Sequence, residues 1–508
     1  MTPAGVAQSG AGAPGPGEAR LLASGALVQQ AAQASGLLAL LVVVTVLARR
    51  LSVAELGAYG LVASLAGYLL VLRNSVAAAA VRAMAGATVT ADRARTFAAA
   101  AGLYVRVGLA TGLLIAAAAL VIAATVLDGR LAYDARVGGL GLGAVTALGI
   151  AASVYLDGLR AERLLVRAAM TEIAGVAIYL ALMLALILSG AALGVVIAAS
   201  GAMPLLSGLL SFGEVRRRRL PFRLRPAAGR AHEIVPTAGW LLLVELSNLV
   251  SYAFQRVILG AFRSPTEVGL YEGPLRAHNL LYALGGALAV PTVPSASGYV
   301  ARGDRRRLRE LALRGSRYTL ALFVPVCVTL MALAEPLLRA WLGDRYGEGA
   351  AALTILVSYW LLYGALVVTP GFLVGAGKAR EAALIMSSAA GLNIVLSLIL
   401  TPELGLEGPA VATATAFALA FPFLLRLGLG AGRARLGELA RAAWLPAYSL
   451  GLVLAGALVA LRLAAEPTGL AAITAAGVLG VAGYWLAYYA LWLDPGERAL
   501  VRGLLRRG

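Results

Sequence analysis

Apolar runs long enough to cross a lipid bilayer recur along almost the whole chain. LLALLVVVTVLA at 37–48 and IYLALMLALIL at 178–188 are two of them. A hydrocarbon core of about 30 Å is crossed by a helix of about 20 apolar residues. Backbone amides in lipid have no water to bond, so only helices and closed barrels can span it. Barrel strands would be shorter and would alternate in polarity. The chain is 60% hydrophobic and 13% charged over 508 residues, with a mean hydropathy of +0.84. A soluble protein of that length needs far more polar surface. The pattern predicts an all-α polytopic membrane protein.

Fourteen candidate spans can be counted, near 22–47, 54–76, 100–126, 137–156, 170–188, 191–212, 236–260, 268–290, 318–334, 351–369, 381–400, 408–426, 444–463 and 470–493. Ser189 and Gly190 leave almost no loop between two of them, so a tight helical hairpin is expected there. Residues 1–19 form a Gly-, Ala- and Pro-rich tail, read as disordered and cytoplasmic. A first bundle would occupy 20–213, a basic linker 214–235 and a second bundle 236–428. The last two spans and a basic tail would fill 429–508.

The net charge of +18 would suggest nucleic acid in a soluble chain. Here the basic residues sit in short loops, which is the pattern of membrane topology. Thirty-two basic residues fall on one side of the fourteen spans and seven on the other. The positive-inside rule therefore places both termini in the cytoplasm. The longest outer loop, about 335–350, leaves no room for an external domain. The stretch DRRRLRELALR at 304–314 reads as a helix lying on anionic lipid or as a solvated linker helix. Cys327 is the sole cysteine, so no internal disulfide can form, and it reads as an apolar filler. His232 and His278 lack the neighbours of a metal site, and no nucleotide-binding motif is visible. No metal or other cofactor is expected.

One irregular phrase occurs twice, as SVAELGAY at 52–59 and SPTEVGLY at 264–271. Ser52 with Glu55, and Ser264 with Glu267, have the spacing of a capping box. Free N–H groups at a helix start matter most where the helix enters lipid. Pro265 would take the first helical position, where its missing N–H does no harm. Gly57 and Gly269 permit close helix contact, and Tyr59 and Tyr271 are expected at the membrane interface. Fainter echoes link 159–163 with 377–380 and 192–199 with 406–413. Two related six-helix bundles of parallel topology follow, with a pseudo-twofold axis along the membrane normal and a central cavity. The last two helices are an appendix.

These residues also carry a family likeness. ARRLSVAELGAYGLVASL at 48–65, QRVILGAFRSPTEVGLY at 255–271, the stretches 335–357 and 373–414, and the fourteen spans resemble the MOP exporter superfamily. Within it the chain resembles polysaccharide flippases of the Wzx O-antigen and capsule class. Where that pattern often has Asp-Arg, this chain has Gln255-Arg256. Lipid II flippases carry arginines in the first helix, where this chain has Gln29, Gln30 and Gln33. The resemblance implies a flippase in a bacterial cytoplasmic membrane, with a lipid-linked oligosaccharide as substrate. It also implies contact with membrane lipids and with a polysaccharide polymerase and co-polymerase, and no nucleic-acid partner.

Polar groups inside a bilayer are costly and should face the bundle interior. In the seventh span Glu245, Asn248, Tyr252, Gln255 and Arg256 share one stripe, as do Glu272, Arg276 and Asn279 in the eighth and Gln29 and Gln33 in the first. Arg276 is the leading candidate for a phosphate contact, since a guanidinium can hold a phosphate through two parallel bonds. The competing reading is a structural pair with Glu272, one turn away. Arg256 could also snorkel outward. Glu245 is either a protonatable coupling group or a carboxyl bonded to Asn248. Arg73 and Arg106 are candidates for guiding a headgroup at the entrance. The expected function is export of a polyprenyl-pyrophosphate-linked oligosaccharide by alternating access. The alternatives are a MATE-type cation-coupled drug exporter, a lipid II flippase, a membrane polymerase or ligase, and a scaffold. The short outer loops argue against the enzymes.

Overall fold

The computed structural model describes residues 16–86, 90–220, 222, 254–289, 292–465 and 468–505, and among them all regular structure is helical. The first half runs α1 (Pro16–Arg50), α2 (Val53–Gly86), α3 (Thr90–Thr125), α4 (Gly129–Ala161), α5 (Leu165–Leu188), α6 (Leu193–Ala199) and α7 (Ala202–Arg217). The second half begins with α8, the helical residues 254–262. It continues through α9 (Pro265–Ala289), α10 (Thr292–Ala301), α11 (Arg305–Ala332), α12 (Ala334–Leu342), α13 (Ala350–Tyr363), α14 (Thr369–Gly375), α15 (Ala379–Leu404) and α16 (Gly408–Gly432). The turn α17 (Leu436–Leu439), α18 (Leu445–Ala465), α19 (Leu470–Leu491) and α20 (Pro495–Leu505) complete the chain.

Ten helical runs among the described residues are long and apolar enough to cross a membrane, or eleven with the bent pair α6–α7. One of the ten, Ala379–Gly432, holds both α15 and α16. α9 is 25 residues long but carries Glu267, Glu272 and Arg276. The expected seventh span lies mostly outside the described residues. The architecture is an all-α polytopic membrane fold of about fourteen helices: two six-helix bundles of parallel topology around a central cavity, plus two C-terminal helices. Those last two turn bare leucines outward, Leu463 at 78% and Leu479 at 70% exposure, as a lipid-facing surface must. Their inner faces pack on α11 through Leu320, Val324, Tyr484 and Tyr488.

Several expectations need correction. The sixth span is not one rod: it bends by 45° between α6 and α7, where Gly201 presses on Leu142 and Thr146 of α4. The basic stretch 304–314 is not a separate surface helix. Asp304 caps it by accepting from the Arg307 N–H at 3.0 Å, and it runs unbroken into the span as α11. The eighth span is followed by a further short helix, α10, and the long outer loop is itself helical in α12. The hairpin at Gly190 is tight as expected, with φ at +72°, and the Ala191 N–H donates to the Leu186 carbonyl. Tyr59 and Tyr271 do not present their rings to lipid headgroups. They are 3% and 0% exposed and point inward.

The repeated phrase forms the contact between the halves. Ser52 closes a full capping box: its N–H and Oγ both donate to Glu55 Oε2 at 2.9 Å, and the Glu55 N–H donates to Ser52 Oγ at 3.2 Å. At the second site the Glu267 N–H donates to Ser264 Oγ at 3.2 Å. The Glu267 carboxylate turns instead to Arg263, at 3.0 Å, so that box is half made. The two helix starts then cross each other. A Cβ added to Gly57 would overlap the Pro265 carbonyl oxygen, and one added to Gly269 would overlap the Val53 carbonyl oxygen. Val53 and Pro265 are the first residues of α2 and α9. Each glycine thus sits over the first turn of the other helix, as a twofold axis through the crossing demands. Close backbone approach at small residues is how helices gain packing in lipid, where burial of apolar surface gives no advantage.

Around the crossing, one apolar core joins Leu47, Leu56 and Leu61 to Leu259, Val268 and Leu338. Arg49 donates from Nη2 to the Ala340 carbonyl at 2.7 Å, and Trp341 donates to Thr45 Oγ1 at 2.6 Å. All these contacts lie toward the capping-box side. In a Cys327→Ala background, with a single cysteine at Ser64 two turns beyond the crossing, we expect slow labelling by an impermeant thiol reagent added from the capping-box side. Adding Gly57→Ala should pry α2 from α9 and raise that rate severalfold. An unchanged rate would mean that the glycine crossing is not the seal.

Candidate functional site

Beyond the crossing the halves diverge around a cavity of about 260 Å³. One wall comes from the first half. Gly60, Ser64 and Gly67 lie on one face of α2, beside Tyr59, with Thr146 of α4, Tyr179 of α5 and Ser200 at the α6–α7 bend. The other wall comes from the second half, through Arg256 of α8 and Arg276 and Asn279 of α9. The first wall therefore offers three hydroxyls and two tyrosines among the apolar Leu40, Ala63, Leu70, Met203 and Pro204, and the other offers the charge. Arg276 lies eleven residues into α9, about 16 Å along the helix axis.

The charges are organised on Glu272, which is 1% exposed. Arg256 forks onto its carboxylate, from Nε to Oε1 at 2.5 Å and from Nη2 to Oε2 at 3.1 Å. Arg276 reaches Oε2 through Nη2 alone, at 3.3 Å. Gly60 makes room for this arrangement, since a Cβ there would overlap Glu272 Oε1. Two guanidiniums against one carboxylate leave a net charge of one positive unit. Among the described residues that line the cavity, two buried polar atoms have no hydrogen-bond partner, Arg276 Nε and Thr146 Oγ1. A buried donor left unmade costs about 1–3 kcal/mol.

The other expected residues scatter. Gln255 is 1% exposed and works inside the second half, donating to Thr413 Oγ1 at 2.6 Å and accepting from Tyr271 Oη at 3.1 Å. It is not part of the cavity wall, because its amide is used up in tying α8 to α9 and α16. Gln29 donates to Glu172 Oε2 at 3.1 Å. Gln33, one turn on along the same face of α1, is exposed and does not line the cavity. Glu245 and Asn248 lie outside the described residues. Ser52, Glu55, Ser264 and Glu267 cap helices at the crossing, as described above.

Arg73 is not free to greet a ligand. It donates to Asp157 Oδ2 at 2.6 Å and to Ser153 Oγ at 3.1 Å. Tyr104 donates to the same Asp157 oxygen at 2.7 Å, and Arg160 bridges Asp157 to Glu172 at 2.9 and 2.8 Å. Arg106, two residues from Tyr104 and so on the other face of α3, is exposed. This network of α1 to α5 was missed from the sequence, since its members are scattered over 143 positions between Gln29 and Glu172. Tyr59 and the Gly60, Ser64, Gly67 face were legible in principle, as a stripe of small and polar residues at helical spacing.

Comparison with known proteins adds the following. A family model described as polysaccharide biosynthesis protein matches residues 46–351. A Haloferax volcanii protein named "probable low-salt glycan biosynthesis flippase" is 22% identical over 31% of this chain and 33% of its own length. The uncharacterized membrane protein EpsK of Bacillus subtilis is 26% identical over 43% of each chain. The chain thus spans less than half the length of both relatives. Among solved structures, the lipid II flippase MurJ in an inward closed conformation superposes with a TM-score of 0.70 at 14% identity, over 91% of this chain and 99% of that one. A multidrug resistance MATE family transporter of the MOP superfamily, inward-facing, gives 0.69 at 16% identity, over 80% and 96%. An outward-facing MATE family transporter gives 0.55 at 18% identity, over 84% and 96%. The fold is that of MOP superfamily transporters.

Asp157 is 1% exposed and neutralised by two arginines. Removing one member of a buried ion pair costs about 3–5 kcal/mol. Asp157→Asn should therefore lower the thermal unfolding midpoint in detergent by several degrees, while Arg106→Gln leaves it in place. Equal midpoints for wild type and Asp157→Asn would show that the network does not hold the first half together.

Proposed function

Because the chain belongs to the polysaccharide biosynthesis protein family, we propose that it is a flippase for polyprenyl-pyrophosphate-linked oligosaccharide in a bacterial cytoplasmic membrane. The observation that carries this reading is the cavity itself: a net positive charge between the halves, facing a wall where three hydroxyls and two tyrosines stand among apolar side chains. A pyrophosphate needs the first, because charges stripped of water must be paired. A short glycan suits the second, where Ser64, Thr146 and Ser200 can bond sugar hydroxyls and Tyr59 and Tyr179 offer flat faces. Arg276 holds the phosphate, and Asn279, one turn further on, adds an amide.

The termini face the cytoplasm in this reading. The capping-box side, where the halves touch among the described residues, is then the closed outer gate. The higher superposition scores with the two inward structures are in keeping with that state. Substrate enters from the cytoplasmic leaflet with its tail left in lipid. The halves, 20–213 and 236–428, rock about the cavity, and the α2–α9 crossing opens to release the headgroup. Moving an anion out of a negative-inside cell gains about 2.3 kcal/mol per charge per 100 mV, so the potential alone can drive export. The process makes and breaks no covalent bond. Assembly with a polymerase and co-polymerase would hand the product on.

A cation-coupled drug exporter is the competing reading, favoured by the buried carboxylates Asp157 and Glu272. Both are held by arginines, which leaves them poorly placed to take up a cation. The test is translocation of a fluorescent lipid-linked oligosaccharide by purified protein in vesicles. Arg276→Ala should insert normally and flip at least about tenfold more slowly, the worth of one charge-assisted contact. Wild-type rates in that variant, or transport of organic cations instead, would overturn the assignment.

A further inference from the structure

His278 is fully buried and takes no part in the cavity wall. It lies two residues from Arg276 and next to Asn279 on α9. A helix turns by about 100° per residue. Arg276, Asn279 and Leu280 therefore share one side of α9, and all three are accessible. Ala277, His278 and Leu281 take the other side, and all three are buried. Across that buried side stands α13. The Trp360 Nε1–H donates to His278 Nδ1 at 3.1 Å, and the rings of Trp360 and Tyr359 lie 5.8 and 5.7 Å from the imidazole. Gly285, on the same face of α9, brings the backbone to the same indole: a Cβ built there would lie 3.6 Å from Trp360 Cζ3. The outer end of α9 is gripped elsewhere, at Gly269 against Val53 of the first half. Pro274 stands between the two ends. It has no N–H for the Leu270 carbonyl, so one rung of the helix ladder is missing there. The setting of the inner segment, from Leu275 on, is left to its own packing, and the Trp360 bond is a directional part of that packing.

We propose that His278 is a positioning residue, which pins the inner segment of α9 to α13 so that Arg276 and Asn279 face the cavity. Its effect on substrate rests on the reading of the cavity as the substrate site; the pin itself does not. Arg276 needs such a hold. Its contact with Glu272 lies within one helix, and a pair within a helix does not set how that helix is turned. The Arg256 bonds attach to Glu272 on the outer side of Pro274. Apolar packing alone is tolerant, since side chains of about the right size repack when a helix turns or slides. A hydrogen bond is directional and weakens steeply once its angle falls below about 120°. Nδ1 accepts, so the imidazole acts here as an acceptor of fixed direction. The bond to Trp360 thus fixes both the rotation of α9 and its height against α13. A turn that parts the two rings leaves a buried polar group unmade, and the pair resists it.

Rotation can be read without substrate. In a Cys327→Ala background a single cysteine replaces Asn279 or Ala277, and an impermeant thiol reagent is added from the side opposite the capping boxes. Asn279→Cys should label much faster than Ala277→Cys. His278→Leu with Trp360→Phe removes both polar partners at once, a change that is nearly neutral for stability. It should narrow the labelling ratio severalfold while the thermal unfolding midpoint stays close to that of wild type. His278→Asn places a side-chain oxygen near the position of Nδ1 and should keep the ratio. Affinity for a fluorescent polyprenyl-diphosphate-linked disaccharide is then measured on full-length protein in nanodiscs, without the reporter cysteines. It should fall about tenfold in the double variant and hold in His278→Asn. Where the double variant fails to fold, Trp360→Phe alone removes the donor and is read in the same way. A labelling ratio unchanged in these variants overturns the proposal. A narrowed ratio with wild-type affinity leaves the pin standing, and it is the reading of the cavity as the substrate site that fails.

Discussion

Two absent side chains decide how the halves of this protein meet. At Gly57 and Gly269 the backbone of one helix lies against the first-turn carbonyl of the other, and even a methyl group at either position would collide. Lipid is as apolar as leucine, so helices in a membrane gain little by hiding apolar surface from it. Close approach of backbones, with the dense van der Waals contact it allows, becomes the main source of adhesion. The crossing draws the two apolar cores into one on the capping-box side and leaves the other side free to diverge. The cavity is the space that this asymmetry opens.

The same crossing sets the electrostatics. Gly60 lies one turn below Gly57 on α2 and receives the Glu272 carboxylate on its bare backbone. The repeat frame that pairs Gly57 with Gly269 pairs Gly60 with Glu272. Where the first half leaves a gap, the second supplies a charge to fill it. Symmetry of the backbone is thus joined to asymmetry of the chemistry, and a cavity built on a pseudo-twofold axis has one cationic wall and one of hydroxyls. On the proposed function, such a site would orient the headgroup, with its phosphates toward the cationic wall.

The first half holds its own charges differently. Arg73, Asp157, Arg160 and Glu172 form a chain of alternating sign, reinforced by Tyr104, Ser153 and Gln29. Their bonds satisfy one another, and the group reads as a brace between α1, α2, α3, α4 and α5. Arg276 differs, in that its buried Nε has no partner among the described residues.

Much of the fold was legible along the chain. Apolar runs, the sidedness of arginine and the doubled phrase at 52–59 and 264–271 are local or periodic signals. They follow from the thickness of a bilayer and from the cost of bare backbone ends in lipid. They determine the fold class and the repeat, and they name Arg276 and Asn279 as inward-facing. The tertiary structure alone decided which polar groups find each other. Gln255 and Arg256 are neighbours in sequence yet serve different places, one tied to Thr413 and the other to Glu272. Asp157 gave no signal because its partners Arg73 and Tyr104 lie 84 and 53 residues away. The sixth span bends where Gly201 lies against α4. Helical periodicity tells which face a residue is on, and the energy of a buried charge depends on what stands opposite. That is a property of the packed helices and is written in no one of them.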